Sequence, residues 1–376
     1  MLRILLAFLT SLTIALIAVP EVRKVISKRN VFDDIGGRKV HTELIPAMGG
    51  VGIFLAFILS CCLWMPAQVA SELRYMFFGI ILIFFMGVRD DMLEMSPKNK
   101  LYIQIMASTV VVVLGDIHID SLYTLVPQIY FPQWLSYAFS IFVIIALTNA
   151  FNLIDGINGL SGGIAALISL CLGGWFYLIG EHSLAVLMIS MFGGCIGFLY
   201  YNWGKASIFM GDTGALLLGF FISVSLILFI NVDHQLATSN IYKIQDPISV
   251  AIALFIYPFI DTLRIFTIRV FEGRSPFSPD KKHIHHILIR TGLSHAASSA
   301  IIIFASILFL TTTLVANLYV NDLLLLCVII TSLYFVPLAL KLRVNYFKHH
   351  KEGKLLKLRE KKRAMEKSQF KVEKIG

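Results

Sequence analysis

The 376-residue chain is 57% hydrophobic and only 15% charged, yet it carries a formal net charge of +9. A mean hydropathy of +0.79 excludes an ordinary soluble globular domain and specifies an integral membrane protein with several spans. Thirteen of the basic residues lie between Lys341 and Lys374 in a tail whose aromatics are only Tyr346, Phe347 and Phe370. Such a tail suits anionic lipid headgroups better than nucleic acid, for which no recognisable module is present.

Stretches close to the ~20 apolar residues that cross a bilayer recur at 2–20, 47–66, 75–89, 101–115, 135–153, 160–180, 184–201, 213–231, 247–268, 298–319 and 322–340. They predict an all-α polytopic membrane fold of about 11 transmembrane helices. Met1 to Pro20 has only Arg3 ahead of its apolar run and no small-residue cleavage site, so it is read as the first span rather than as a removed leader. Cys61, Cys62, Cys171, Cys195 and Cys327 all fall inside apolar stretches, without disulfide or metal spacing, and read as small core residues.

Alternating the connections across eleven spans leaves only Arg3, Arg74 and Lys243 of the 32 Lys and Arg on one side. The positive-inside rule makes the other side cytoplasmic, with the N-terminus outside and the C-terminus cytoplasmic. No repeat or low-complexity linker is visible, so residues 1–340 are expected to form one integral domain and 341–376 a basic cytoplasmic tail.

Four polar clusters interrupt this oily chain, and the same alternation brings all of them to the cytoplasmic surface. Ionisable residues beside membrane spans are expensive and point to function. Asp90 and Asp91, followed by Lys98 and Lys100, can gather a metal ion and a phosphate, or can be a solvated loop with local ion pairs of little consequence. In NLIDGIN, Asn152 and Asp155 share a helix face while Gly156 permits close approach; helix-end capping explains the same residue types. Asn158 there could hydrogen-bond a nucleobase edge. In FMGDTG, the Asp212 carboxylate lies between two apolar spans, where it needs a partner or a hard cation such as Mg²⁺; it is also a natural cap for the span that follows. In RSPFSPDKKHIHH, Arg274, His283, His285 and His286 suit pyrophosphate or sugar contact, or a solvated basic loop. The His283/His285 spacing lacks the cysteine or helical context of a zinc site.

Taken in order, FDDIGGRKVHTELIPAMGG (with Asp33, Arg38, Lys39, His41, Pro46, Gly49 and Gly50), DDMLEMSPKNK, NAFNLIDGINGL, FMGDTG and HIHH resemble the polyprenyl-phosphate N-acetylhexosamine-1-phosphate transferases, the superfamily of WecA, TagO and MraY. The resemblance covers roughly residues 30 to 290. HIHH preceded by RSPFSPD is similar to the WecA/TagO branch; the peptidoglycan-precursor branch carries a run of histidines there.

What the resemblance implies is an MraY/WecA-like fold in the bacterial inner (cytoplasmic) membrane, with the active site on the cytoplasmic face. The implied reaction moves a sugar-1-phosphate, with N-acetylglucosamine as the expected sugar, from a UDP-sugar donor to undecaprenyl phosphate. UMP is released and a lipid-linked glycan is started. By the same analogy Asp212 and Asn152 hold Mg²⁺, or Mn²⁺ in its place, Asp90 positions or activates the acceptor with support from Asp91, and Lys100 contacts phosphate. Asp155 and Asn158 are expected near the uridine, and Arg274, His283, His285 and His286 on the sugar and phosphate side. Membrane lipids and a second copy of the chain are the other expected partners. One departure stands out: many bacterial relatives carry aspartate where this chain has Asn158. The competing expectations are the phospho-N-acetylmuramoyl-pentapeptide transferase reaction and, from a different class, a lipid-phosphate or nucleotide-sugar transporter. Internal repeats and paired broken helices would mark such a transporter, and none is evident in the sequence.

Overall fold

In a computed structural model of the protein, the residues described are 1–28, 45–122, 129–275 and 282–319. The segment 322–340, the tail 341–376, Cys327 and the family-matching residues Asp33, Arg38, Lys39 and His41 lie outside them.

The described chain is helical, with one isolated bridge between Ser121 and Tyr130. In order, the helices are α1 (Leu2–Lys28), α2 (Gly49–Trp64), α3 (Ala67–Glu72), α4 (Arg74–Met92) and α5 (Pro97–Thr109, prolonged by a π turn at Val110–Leu114). There follow α6 (Gln133–Leu153), α7 (Leu160–Leu178), α8 (His182–Asn202), α9 (Gly211–Gln235), α10 (Pro247–Leu254), α11 (Ile256–Phe271), α12 (Ile284–Arg290) and α13 (His295–Ala316). Each of the ten apolar stretches within the described residues falls on a helix or a helix pair. Six of these helices, α1, α6, α7, α8, α9 and α13, are long and apolar enough to cross a membrane, and α10 with α11 makes a seventh if the pair is one span. The protein is therefore a polytopic helical membrane protein.

The 247–268 stretch, expected as one straight span, is bent by 78° between α10 and α11. Pro258 explains the break. It has no N–H to give to the carbonyl four residues back, and its ring crowds that carbonyl, which belongs to Leu254, the last residue of α10.

Helix α9 is the axis of the molecule. In its most apolar window 83% of residues are buried inside the protein, against 22% in α1 and 28% in α13. It packs against α2, α4 and α6, while α1, α2 and α8 form a second layer. Small polar side chains knit that layer: Ser60 Oγ donates to Ala7 O at 2.8 Å and lies 2.9 Å from Ser190 Oγ, and Ser11 Oγ donates to Ser190 O at 2.5 Å. Helices in lipid associate through close packing and such bonds rather than through the hydrophobic effect.

The start of α9 is held by other segments. Gly49 N–H donates to Phe209 O at 2.8 Å, Gly50 N–H to Met210 O at 3.0 Å, and Phe209 N–H to Pro46 O at 2.9 Å. The PAMGG segment thus sits against FMGD, and Asp212 is presented on the first turn of the most buried helix.

Candidate active site

The site begins with a hairpin between two helices. Asp90 lies in the last turn of α4, and its Oδ1 accepts the Met95 N–H at 2.8 Å, which closes the turn. Ser96 then caps α5, its Oγ accepting the Asn99 N–H at 3.4 Å, with Pro97 in the first turn. This capping starts α5 where Lys100 is carried back over Asp90.

Lys100 Nζ forms an ion pair with Asp90 Oδ2 and donates to Asp212 Oδ2 at 2.9 Å. One cation therefore meets two carboxylates supplied by α4 and α9. Their exposure separates them: the Asp90 side chain is 2% exposed and that of Asp212 35%. Asp90 is sealed, whereas Asp212 reaches open space.

Asp91 has a different task. Helix α9 starts from Met210, which supplies no capping side chain, and its first amides would otherwise lack acceptors. Asp91 provides them from outside the helix: Oδ1 accepts Asp212 N–H at 2.8 Å, and Oδ2 accepts Thr213 N–H at 3.0 Å and Thr213 Oγ at 2.5 Å. A carboxylate here also complements the positive end of the helix dipole. Gly211 enters the helix with φ +74°, and Asp91 Oδ2 lies where its Cβ would be. Asp91 thus locks α4 to α9 and sets the distance between Asp90 and Asp212.

The NLIDGIN loop joins this cluster through Ser161, whose Oγ donates to Asp155 Oδ1 at 2.6 Å and lies 3.4 Å from Met210 Sδ. Asn152 is on the last turn of α6, which packs along α9. Asn158 is buried, its Nδ2 donating to Gly204 O at 2.8 Å and its carbonyl accepting Ser299 Oγ at 2.8 Å. The Asn158 side chain is thus a hydrogen-bond donor to a backbone carbonyl. Asn158→Asp would set a carboxylate against that carbonyl. Leaving a buried group unsatisfied costs about 1–3 kcal/mol, so a lower thermal midpoint in detergent is expected. An unchanged midpoint would refute this reading of Asn158.

The histidine motif closes the other side. His285 is buried, its Nδ1 lies 3.0 Å from the Tyr257 hydroxyl, and its Nε2 occupies the space that a side chain on Gly156 would need. The glycine of DGIN is thereby tied to HIHH. Burial pushes the His285 pKa down to about 3, so the ring is neutral at physiological pH and meets the loop as a neutral hydrogen-bonding group. His283 Nδ1 lies 2.7 Å from Asp261 Oδ2. His286 is only partly buried, with its ring centroid 4.3 Å from that of His285. Arg274 is exposed in the turn after α11 and pairs with Glu272 at 3.4 Å, apart from the carboxylate cluster.

The sequence reading passed over Asp261, Tyr257, Ser161 and Thr213. Asp261 had a signal, a carboxylate inside the apolar run YPFIDTLRIF; the other three are ordinary residue types whose roles depend on distant partners.

No three His, Cys, Asp or Glu side chains among the described residues gather as a closed metal site. Mg²⁺ does not require one, because it uses one or two carboxylates completed by phosphate oxygens and water. Asp212, a carboxylate that reaches open space at the start of α9, fits that donor set.

The sequence profile of glycosyl transferase family 4 matches residues 73–230. The chain is 32% identical over 321 residues to the "Probable undecaprenyl-phosphate N-acetylglucosaminyl 1-phosphate transferase" of Bacillus subtilis (strain 168), a match covering 82% of this chain and 84% of that protein. It is 30% identical over 291 residues to the undecaprenyl-phosphate alpha-N-acetylglucosaminyl 1-phosphate transferase of Yersinia pestis, and 29% over 298 residues to that of Escherichia coli (strain K12). Those two matches each cover 76% of this chain, with 77% and 76% of the respective relatives. With the acidic pair and FMGD joined at the first turn of α9, and NLIDGIN touching both Met210 through Ser161 and HIHH through Gly156, this chain belongs to glycosyl transferase family 4, in its WecA/TagO-like branch.

Proposed function

We propose that the protein transfers N-acetylglucosamine-1-phosphate from UDP-N-acetylglucosamine to undecaprenyl phosphate, releasing UMP and starting a lipid-linked glycan of the cell envelope. The observation that carries this reading is the meeting of Asp90, Lys100 and Asp212 at the N-terminus of α9. The names of the relatives support the donor and acceptor.

In this reaction an acceptor phosphate oxygen forms a bond to the sugar-bearing β-phosphorus. The bond from that phosphorus to the bridging oxygen breaks, and UMP leaves with the electron pair. Because a phosphomonoester already carries about −1.5 to −2 charge at neutral pH, the acceptor needs positioning more than deprotonation. Lys100 supplies a fixed positive charge for phosphate oxygens, and Asp90 holds Lys100 and orients the acceptor. Asp212, with Asn152 on the adjoining helix, would hold Mg²⁺ or Mn²⁺. When bound, the ion supplies charge neutralisation at the pyrophosphate. Asp155 and Asn158 are assigned to the uridine side, and Arg274, His283, His285 and His286 to the sugar and phosphate side.

The finer topology belongs to the same reading: eleven spans with 322–340 as the last, the N-terminus outside, the basic tail inside, and the site at the cytoplasmic face of the bacterial inner membrane. There a soluble anionic nucleotide meets a lipid phosphate, and a basic rim gathers the donor. A homodimer is the assembly proposed.

The test uses purified protein in detergent with Mg²⁺, undecaprenyl phosphate and a panel of UDP-sugars, with UMP as the readout. Release that depends on the acceptor and is specific to UDP-N-acetylglucosamine is expected. Equal UMP release without the lipid, or none from any donor with folded protein, would overturn the assignment.

A further inference from the structure

Asp261 belongs to none of the recognised motifs, yet both of its carboxylate oxygens are engaged. It lies in the second turn of α11 with 0% exposure. Its Oδ2 is 2.7 Å from His283 Nδ1, its Oδ1 accepts the Ile284 N–H at 2.8 Å, and the Arg264 guanidinium is 3.5 Å from Oδ1. Arg264 in turn donates to Lys282 O. Asp261 therefore holds the entrance of α12, where the N-cap residue is His283 itself and provides no capping side chain.

The same contact decides the chemistry of His283. An ionised carboxylate only accepts hydrogen bonds, so the proton facing Asp261 must be on Nδ1. In the neutral ring Nε2 then carries the lone pair. The His283 ring is stacked on His285, centroids 5.4 Å apart at 15°, and His285 rests on Gly156 of the NLIDGIN loop. One buried carboxylate thus fixes the tautomer of His283 and the place of its ring beside that loop.

We propose that Asp261 is a positioning residue for the transfer reaction, acting through His283 by keeping Nε2 as the acceptor atom offered to an O–H or N–H of the donor's sugar. This rests on the reading that His283 borders the substrate. A carboxylate that orients a working histidine has measurable weight: substituting the amide in a serine protease triad reverses the tautomer and lowers turnover by about 10⁴-fold.

The experiment compares Asp261→Asn, His283→Gln and the double variant in acceptor-dependent UMP release, together with ¹⁵N spectra of the histidine rings. The asparagine oxygen can still accept the Ile284 N–H, while its NH₂ faces Nδ1 and drives the proton to Nε2. The expected result is a fall in kcat of at least about 10²-fold, donor KM within about threefold of wild type, and no further loss when Asp261→Asn is added to His283→Gln. The His283 signal should move from Nδ1–H in wild type to Nε2–H. Wild-type protein with its proton on Nε2 would overturn the proposal with no variant needed. Asp261→Asn with full kcat, or losses that multiply in the double variant, would also overturn it. Full activity in His283→Gln would instead remove the underlying reading of His283, so the two failures are told apart.

Discussion

Asp212→Asn is expected to lower UMP release by at least about 10³-fold while leaving the protein folded. The size follows from the role proposed for the carboxylate: preorganised charge at the reacting phosphates is worth about 10²–10³ for a single donor, and the same group pairs with Lys100 and, in the proposed reaction, would also offer a metal ligand. Stability should change far less. The Asp212 side chain is 35% exposed, so water screens its pair with Lys100, and exposed pairs contribute at most about 1 kcal/mol. The amide also keeps the shape, and the Asp212 N–H stays bonded to Asp91 whatever the side chain. Lys100→Met makes the contrast, because it leaves Asp90, 2% exposed, without the only cation paired with it among the described residues. Removing one partner of a buried pair costs about 3–5 kcal/mol, so that variant should lose both activity and thermal stability. Assays of kcat alongside unfolding midpoints separate the two cases. Asp212→Asn with near wild-type turnover would remove Asp212 from the chemistry and leave it as a structural residue.

The meeting of Asp90 and Asp212 was foreshadowed in the sequence because charge is conspicuous in an apolar chain: both stand out against their flanks, and Lys100 bridges them. Their division of labour was not legible. Asp90 and Asp91 are adjacent and alike on paper, but successive residues point to different faces of a helix, so one meets Lys100 ten residues away and the other caps a helix 121 residues away. The partner of the Asn158 amide was not legible either: it donates to Gly204 O at 2.8 Å, 46 residues along the chain. The break in the 247–268 span was visible in Pro258, though hydropathy alone averages over it. Asp261 was hidden by the same averaging. One carboxylate scarcely lowers the mean of sixteen residues, yet inside a membrane protein it marks where a network must exist.

Gly50→Ala should prevent stable folding, although the intrinsic helix propensity predicts the opposite sign. Alanine is favoured over glycine by about 1 kcal/mol inside a helix. At Gly50, however, the new Cβ would fall onto the Gly214 N and Cα and the Thr213 carbonyl carbon. These are backbone atoms of α9 and cannot swing aside as a side chain tip does. The two helices would have to separate, disturbing the Gly49 N–H to Phe209 O and Gly50 N–H to Met210 O bonds and the packing of the most buried helix. Overpacking of this kind costs typically 1–3 kcal/mol, more when the backbone must move, and each lost buried hydrogen bond adds about 1–3 kcal/mol. The sum exceeds the propensity gain several-fold. Gly174 is the internal control: it lies in α7 with nothing within 4 Å of an added Cβ, so Gly174→Ala should be neutral or slightly stabilising. Yield of folded protein and its thermal midpoint in detergent would be compared for both variants, with Asp212→Asn as a folded but inactive reference. If Gly50→Ala matched Gly174→Ala in midpoint, α2 and α9 would not be in backbone contact, and the placement of FMGD against PAMGG, on which the geometry of Asp212 depends, would be wrong.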